Sequence, residues 1–93
     1  MKTISIETWP SFIDLERAFY EKQTYESILS YMANNNIKET MGYFEDYKQV
    51  IKTYYILCRK LEKDILFPEM GDKSFTWEVD FIEHEVKIRE ETT

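Results

Sequence analysis

Glycine, proline and cysteine are scarce in this chain, which has 93 residues, two glycines, two prolines and one cysteine. The single cysteine, Cys58, cannot form a disulfide within the chain. This excludes a disulfide scaffold and is typical of a protein of the reducing cytosol. Gly42 and Gly71 lie too far apart to form a glycine-rich phosphate-binding loop.

Long apolar runs are also missing from the sequence. No segment approaches the roughly 20 consecutive apolar residues of a membrane span. Residues 1–6 lack the apolar stretch of a secretory signal peptide. We therefore expect a cytoplasmic protein with no membrane partner.

Basic residues are fewer than acidic ones, with 12 Lys and Arg against 18 Asp and Glu and a net charge of −6. Contacts with phosphates need clustered Lys and Arg, but here Lys48, Lys52 and Arg59 alternate with acids such as Glu45 and Glu62. We therefore expect no direct binding to DNA or RNA. A content of 43% hydrophobic and 32% charged residues predicts a folded chain rather than a disordered one.

Apolar residues at steps of three and four predict two long helices. The first follows Ser11, a preferred N-cap residue, and covers about residues 12–33. Because Lys22 interrupts its apolar stripe, a kink or break near residues 23–24 is an alternative. A turn of three asparagines at residues 34–36 follows.

The second helix carries the clearest pattern and covers about residues 37–65. Its apolar stripe consists of Phe44, Tyr47, Ile51, Tyr54, Cys58, Leu61 and Ile65. A break at Gly42 is left open, since glycine costs about 1 kcal/mol relative to alanine in a helix. Pro68 should end the helix, because a residue before proline disfavours helical geometry.

Alternating apolar and polar residues predict strands at both ends of the chain. The first covers residues 3–8. In the C-terminal segment the apolar parity switches after Phe81, which predicts a bulge or a hairpin reversal near residues 83–84. A helical C-terminal segment is the alternative.

Together these elements predict an α+β fold in a single domain, residues 1–93. An antiparallel hairpin of two long helices, or three helices if one breaks, would pack on a small sheet. That sheet would have two or three strands, made by the N- and C-terminal segments.

No residue pattern in the chain predicts an enzyme. Cys58 lies on the apolar stripe, where cysteine usually acts as a small hydrophobe. His84 lies among acids but without the spacing of a metal site, so we expect an exposed histidine. We predict no catalytic residue, no cofactor and no metal site.

The net charge is concentrated at the C-terminal end, where residues 72–93 hold seven acids and three bases. A solvated face with a frayed tail is one interpretation. The other is an acidic surface that binds a basic groove of another protein, with Tyr and Trp as apolar anchors. The candidate protein-binding residues are Glu78, Asp80, Glu83, Glu85, Tyr43, Tyr55 and Trp77.

The favoured function is therefore a small, acidic, non-enzymatic protein-binding module. By analogy of size and charge alone, it is comparable to phage and mobile-element antagonists of the anti-CRISPR or anti-restriction type, in which carboxylates take the place of nucleic-acid phosphates. The alternative is an accessory or regulatory subunit, for example in a peptide-modification operon, that self-associates as a homodimer through the aromatic face of the second helix. A nucleic-acid reader is the least favoured interpretation.

Overall fold

The computed structural model of the protein describes residues 1–38 and 41–91. Within them the elements are, in chain order, β1 (Lys2–Ser5), α1 (Phe12–Asn34), α2 (residues 41–70), β2 (Phe75–Asp80) and β3 (Glu85–Glu90). The α+β class predicted from the sequence is confirmed, with two helices and a three-stranded antiparallel sheet.

Helix α1 begins at Phe12, directly after the buried Ser11, and continues through residues 23–24. The predicted alternative of a break there is wrong. Lys22 is accommodated because its ammonium group donates to Glu26 at 3.1 Å and lies 5.5 Å from the centre of the Tyr54 ring. The asparagine turn is confirmed, and Asn36 has the left-handed φ of 55° that asparagine tolerates.

Among the described residues helix α2 begins at Met41, and because Ile37 and Lys38 are not helical, the predicted start at residue 37 is wrong. Gly42 is the second residue of this helix, so the alternative of a break just before it falls outside the described residues. The helix continues from the α-helical Met41–Leu61 through one π-helical turn, Glu62–Leu66, to a last α-helical turn, Phe67–Met70. The predicted end before Pro68 is therefore wrong, and so is the alternative of a third helix.

The π-helical turn explains how the helix passes a proline. Within a regular helix, Pro68 would remove a hydrogen bond, and its ring would clash with the carbonyl four residues earlier. Here the N–H of Phe67 donates to the carbonyl of Glu62, five residues earlier, and this wider turn shifts the hydrogen-bond register before the proline. The helix ends at Met70, and the next residue, Gly71, has a positive φ of 63° that suits glycine.

The sheet has the order β1–β3–β2, so the N-terminal strand pairs with the C-terminal one, as predicted. Strand β1 is shorter than predicted and ends at Ser5. Strands β2 and β3 form an antiparallel hairpin. The hairpin reversal is therefore confirmed, and the alternatives of a bulged strand or a helix are wrong.

The two faces of the sheet differ in polarity. In the register, Trp77 is opposite Ile88 and Val79 is opposite Val86, which places these four on one face. Val86 and Ile88 are completely buried. The other face carries polar residues, because successive residues of a strand point to opposite sides.

The described residues divide into two compact units, Asp14–Cys58 and Met1–Ile13 with Arg59–Thr93, which we call the helical unit and the terminal unit. In the helical unit α1 and α2 are antiparallel, since Phe19 contacts Tyr54 whereas Glu26 contacts Tyr47. The packing of the helical hairpin on the sheet stays a prediction, as does the single domain.

The terminal unit combines the sheet with the last turns of α2. Its completely buried side chains are Ile6, Leu61, Leu66, Val86 and Ile88. The last turn of α2 contacts both outer strands of the sheet, because Phe67 packs against Phe75 and Glu69 pairs with Lys2.

Candidate functional site

The four acids that the sequence predicts to bind a protein partner all lie on the β2–β3 hairpin, including its turn. The register places Glu78, Asp80 and Glu85 on the polar face of the sheet, and Glu83 lies in the turn. Glu78 and Glu83 are exposed, whereas Asp80 and Glu85 are half-buried. The structure thus brings all four into one hairpin, although only two of them are exposed.

Asp80 shapes the turn of this hairpin. Its Oδ1 accepts hydrogen bonds from the N–H groups of Ile82 and Glu83, both at 3.0 Å, and its Oδ2 lies 3.3 Å from the ammonium nitrogen of Lys87. The N–H of Glu83, followed by Lys87, holds the pKa of the Asp80 carboxyl below its usual value. Asp80 is therefore an ionised turn residue as well as a surface acid.

The polar face is not uniformly negative. Lys87 is opposite Glu78 and Arg89 is opposite Thr76, so two cations lie beside the acids. A shallow depression of about 330 Å³ is lined by Glu78, Lys87 and Arg89 together with Met1. A ligand of this face would therefore have to match both negative and positive charge.

His84 lies at the end of the turn and is half-buried, which corrects the prediction of an exposed histidine. Its ring centre lies 4.7 Å from that of Phe12, its φ is 56°, and its carbonyl accepts a 2.9 Å hydrogen bond from the N–H of Ile6. His84 therefore joins the turn to the segment that follows β1. Among residues 1–38 and 41–91, no group of three or more His, Cys, Asp or Glu is placed to hold a metal ion.

Cys58 is buried in the apolar stripe of α2, one turn after Tyr54. Burial raises the pKa of the Tyr54 phenol, and the hydrogen bond with Cys58 raises it further. Both side chains thus lie in a desolvated part of the helical unit, which is the setting expected for a cysteine that packs as a small hydrophobe.

The three candidate anchor residues lie in different surroundings. Trp77 is half-buried on the apolar face of the sheet, on the opposite side of β2 from Glu78. Tyr43 and Tyr55 are exposed on α2, in the helical unit. Their location on one surface with the acids stays a prediction.

Sequence reasoning missed a second apolar row on α2. It assigned Phe44 and Ile51 to the core stripe, but Phe44 is 49% exposed and Ile51 only half-buried. Exposed Met41 and Tyr55 continue this row. The signal that could have revealed it is the recurrence of apolar residues at positions 41, 44, 51 and 55, at steps of three, seven and four beside the main stripe.

No protein-family model, curated protein or solved structure matches the chain. None of the helices within residues 1–38 and 41–91 has the length and apolar character needed to cross a membrane.

Proposed function

We propose that the chain is a small, acidic, non-enzymatic protein-binding module of the cytoplasm. Its β2–β3 hairpin contacts a basic surface of another protein. An antagonist from a phage or mobile element would act in this way if its carboxylates occupied a nucleic-acid groove of a DNA- or RNA-handling protein.

The ordered hairpin is the observation that carries this proposal. A frayed acidic tail would lose conformational entropy on binding, whereas a preorganised surface loses less. Asp80 supports such preorganisation, since it accepts two backbone hydrogen bonds and pairs with Lys87. The exposed carboxylates of Glu78 and Glu83 are attached to this scaffold.

The charge of the hairpin also favours a basic partner. Between Phe75 and Glu90 there are five acids and two bases, so the segment carries −3 with His84 neutral. Complementary charge raises the rate of encounter and suppresses wrong partners more than it raises affinity. We therefore expect binding that weakens as salt is added.

The test is a pull-down from an extract of the source cells, with the tagged protein and the triple variant E78K/E83K/E85K. Asp80 is left unchanged because its substitution would alter the turn. We expect the variant to lose the captured protein, and we expect added duplex DNA or RNA to displace that protein from the wild type.

A matched control carries the same charge change elsewhere, as E21K/D46K/D72K, at three exposed acids. This control should capture the partner as the wild type does. Equal capture by both triple variants would refute the hairpin as the binding surface. A captured protein that nucleic acid does not displace would refute the groove-blocking version alone.

A further inference from the structure

Helix α2 has two apolar faces, and one of them packs against α1 within the helical unit. Tyr47 and Tyr54 face α1, where they contact Glu26 and Phe19 respectively. The second face, which we call the outer seam, consists of Met41, Phe44, Lys48, Ile51 and Tyr55. These residues follow one another at steps of three, four, three and four, which is the spacing of a coiled-coil seam.

The outer seam extends over about four helical turns, and all of its members are exposed except the half-buried Ile51. Met41 is 79% exposed, Phe44 49% and Tyr55 53%. Lys48, the one charged member of the seam, lies 5.4 Å from the centre of the Phe44 ring and 3.3 Å from a carboxylate oxygen of Glu45. A lysine at one seam position lowers stability but restricts the partners and registers that fit.

The charged residues beside the outer seam indicate which molecule packs against it. Glu45 and Lys52 are both exposed and lie seven residues apart, at the same position relative to the seam. If a second α2 packs antiparallel to the first, Glu45 of each copy lies near Lys52 of the other, which makes two equivalent ion pairs. A parallel arrangement would form no Glu45–Lys52 pair and would instead place Lys52 near Tyr47 of the other copy, which carries no charge at neutral pH.

We propose that the outer seam of α2 is the interface for a second copy of this chain, packed antiparallel across a two-fold axis. In this arrangement Phe44 packs against Tyr55 of the other copy, and Lys48 lies beside Ile51. A two-fold axis requires a surface that is complementary to itself. A seam flanked at one end by an acid and at the other by a base meets this requirement. The proposal is independent of the hairpin function proposed above.

Charge reversal provides the sharpest test, with sedimentation velocity measured over a wide range of concentrations. The wild type should form dimers. E45K and K52E should each raise the dimer dissociation constant by about tenfold or more, because each brings two pairs of like charges together. The double variant E45K/K52E should restore dimers, and an equimolar mixture of the two single variants should form heterodimers.

Apolar substitution provides the second test. F44E/Y55E should be monomeric, whereas the control Y20E/Y31E, which changes two exposed tyrosines of α1, should dimerise as the wild type does. Circular dichroism should show the same helix content in all variants, because every substituted side chain is exposed. A wild type that stays monomeric at all concentrations would overturn the proposal. So would a dimer that these changes leave intact, or a double variant that fails to restore it.

Discussion

The hydroxyl of Tyr47 donates a 3.0 Å hydrogen bond to a carboxylate oxygen of Glu26, which joins α2 to α1. Glu26 also accepts from the ammonium group of Lys22 at 3.1 and 3.2 Å. Lys22 is the main cause of a lowered pKa at Glu26, and Tyr47 lowers it further. Desolvation raises the pKa of Tyr47, and its bond to the carboxylate adds to this. The pair is therefore stable as an ionised acid and a neutral phenol.

A double-mutant cycle at this pair should show coupling between the two helices. We expect E26Q and Y47F each to lower the free energy of unfolding by about 1 kcal/mol. The double variant should lose less than the sum, because E26Q leaves Tyr47 only a neutral acceptor and Y47F removes the donor, so both changes weaken the same hydrogen bond. The measurement is urea denaturation followed by circular dichroism. As a control, E21Q changes an exposed acid of the same helix and should cost less than about 0.5 kcal/mol. Strict additivity would contradict a direct interaction.

The turn at Asp80 should loosen in acid. Because the folded-state pKa of Asp80 lies below its usual value near 3.8, the unfolded chain binds the proton first as the pH falls. The stabilisation is complete above the usual value and is lost as the pH falls through the folded-state pKa. The amide resonances of Ile82 and Glu83 should report this transition. In D80N, which keeps an acceptor but cannot ionise, the same resonances should change much less. An equal acid response in both proteins would exclude Asp80 as the cause.

The left-handed backbone of His84 should resist a β-branched side chain. At a φ of 56°, valine should cost about 1–2 kcal/mol, and H84V also loses the ring contact with Phe12. H84N removes the same ring, but asparagine tolerates this backbone conformation. The thermal unfolding midpoint of H84V should therefore lie below that of H84N, and the difference between the two midpoints measures the backbone effect. Equal midpoints would contradict it.

Truncation of two neighbouring residues at the end of the π-helical turn should have different effects on stability, because one is buried and the other is exposed. Leu66 is completely buried, whereas Phe67 is 51% exposed. We expect L66A to lower the free energy of unfolding by about 2–5 kcal/mol. F67A removes a larger side chain, but it should cost less than about 1 kcal/mol because much of the ring is already in water. Chemical denaturation measures both, and a larger loss in F67A would show that the turn faces the other way.

Much of the local structure was predictable from the sequence. Helix α1 begins directly after Ser11, where the N-cap signal predicted it. The asparagine turn also lies where short-range backbone preferences predict it. The reversal before Glu85 follows the switch of apolar parity after Phe81 that predicted it. These features depend on neighbours within a few residues, and a linear sequence contains that information directly.

Other features depend on partners far along the chain. Trp9 directly follows the predicted first strand, but its ring is buried and its Nε1 donates to Asp64, 55 residues away, at 3.1 Å. Pro68 looked like the end of a helix because the sequence does not show that a π-helical turn precedes it. The left-handed His84 likewise has no local signal, since neither glycine nor asparagine occurs there.

Among the candidate site residues, the sequence by itself determined that acids and apolar residues alternate along the C-terminal hairpin. It also determined that α2 is apolar on more than one side. Only the tertiary structure decided that the Asp80 carboxylate accepts hydrogen bonds from the turn while Glu78 and Glu83 remain exposed. Only the tertiary structure decided, likewise, that Tyr47 faces α1 while Phe44 faces solvent. Periodicity determines which residues share a face, but which face is covered depends on long-range packing, and no local pattern encodes it.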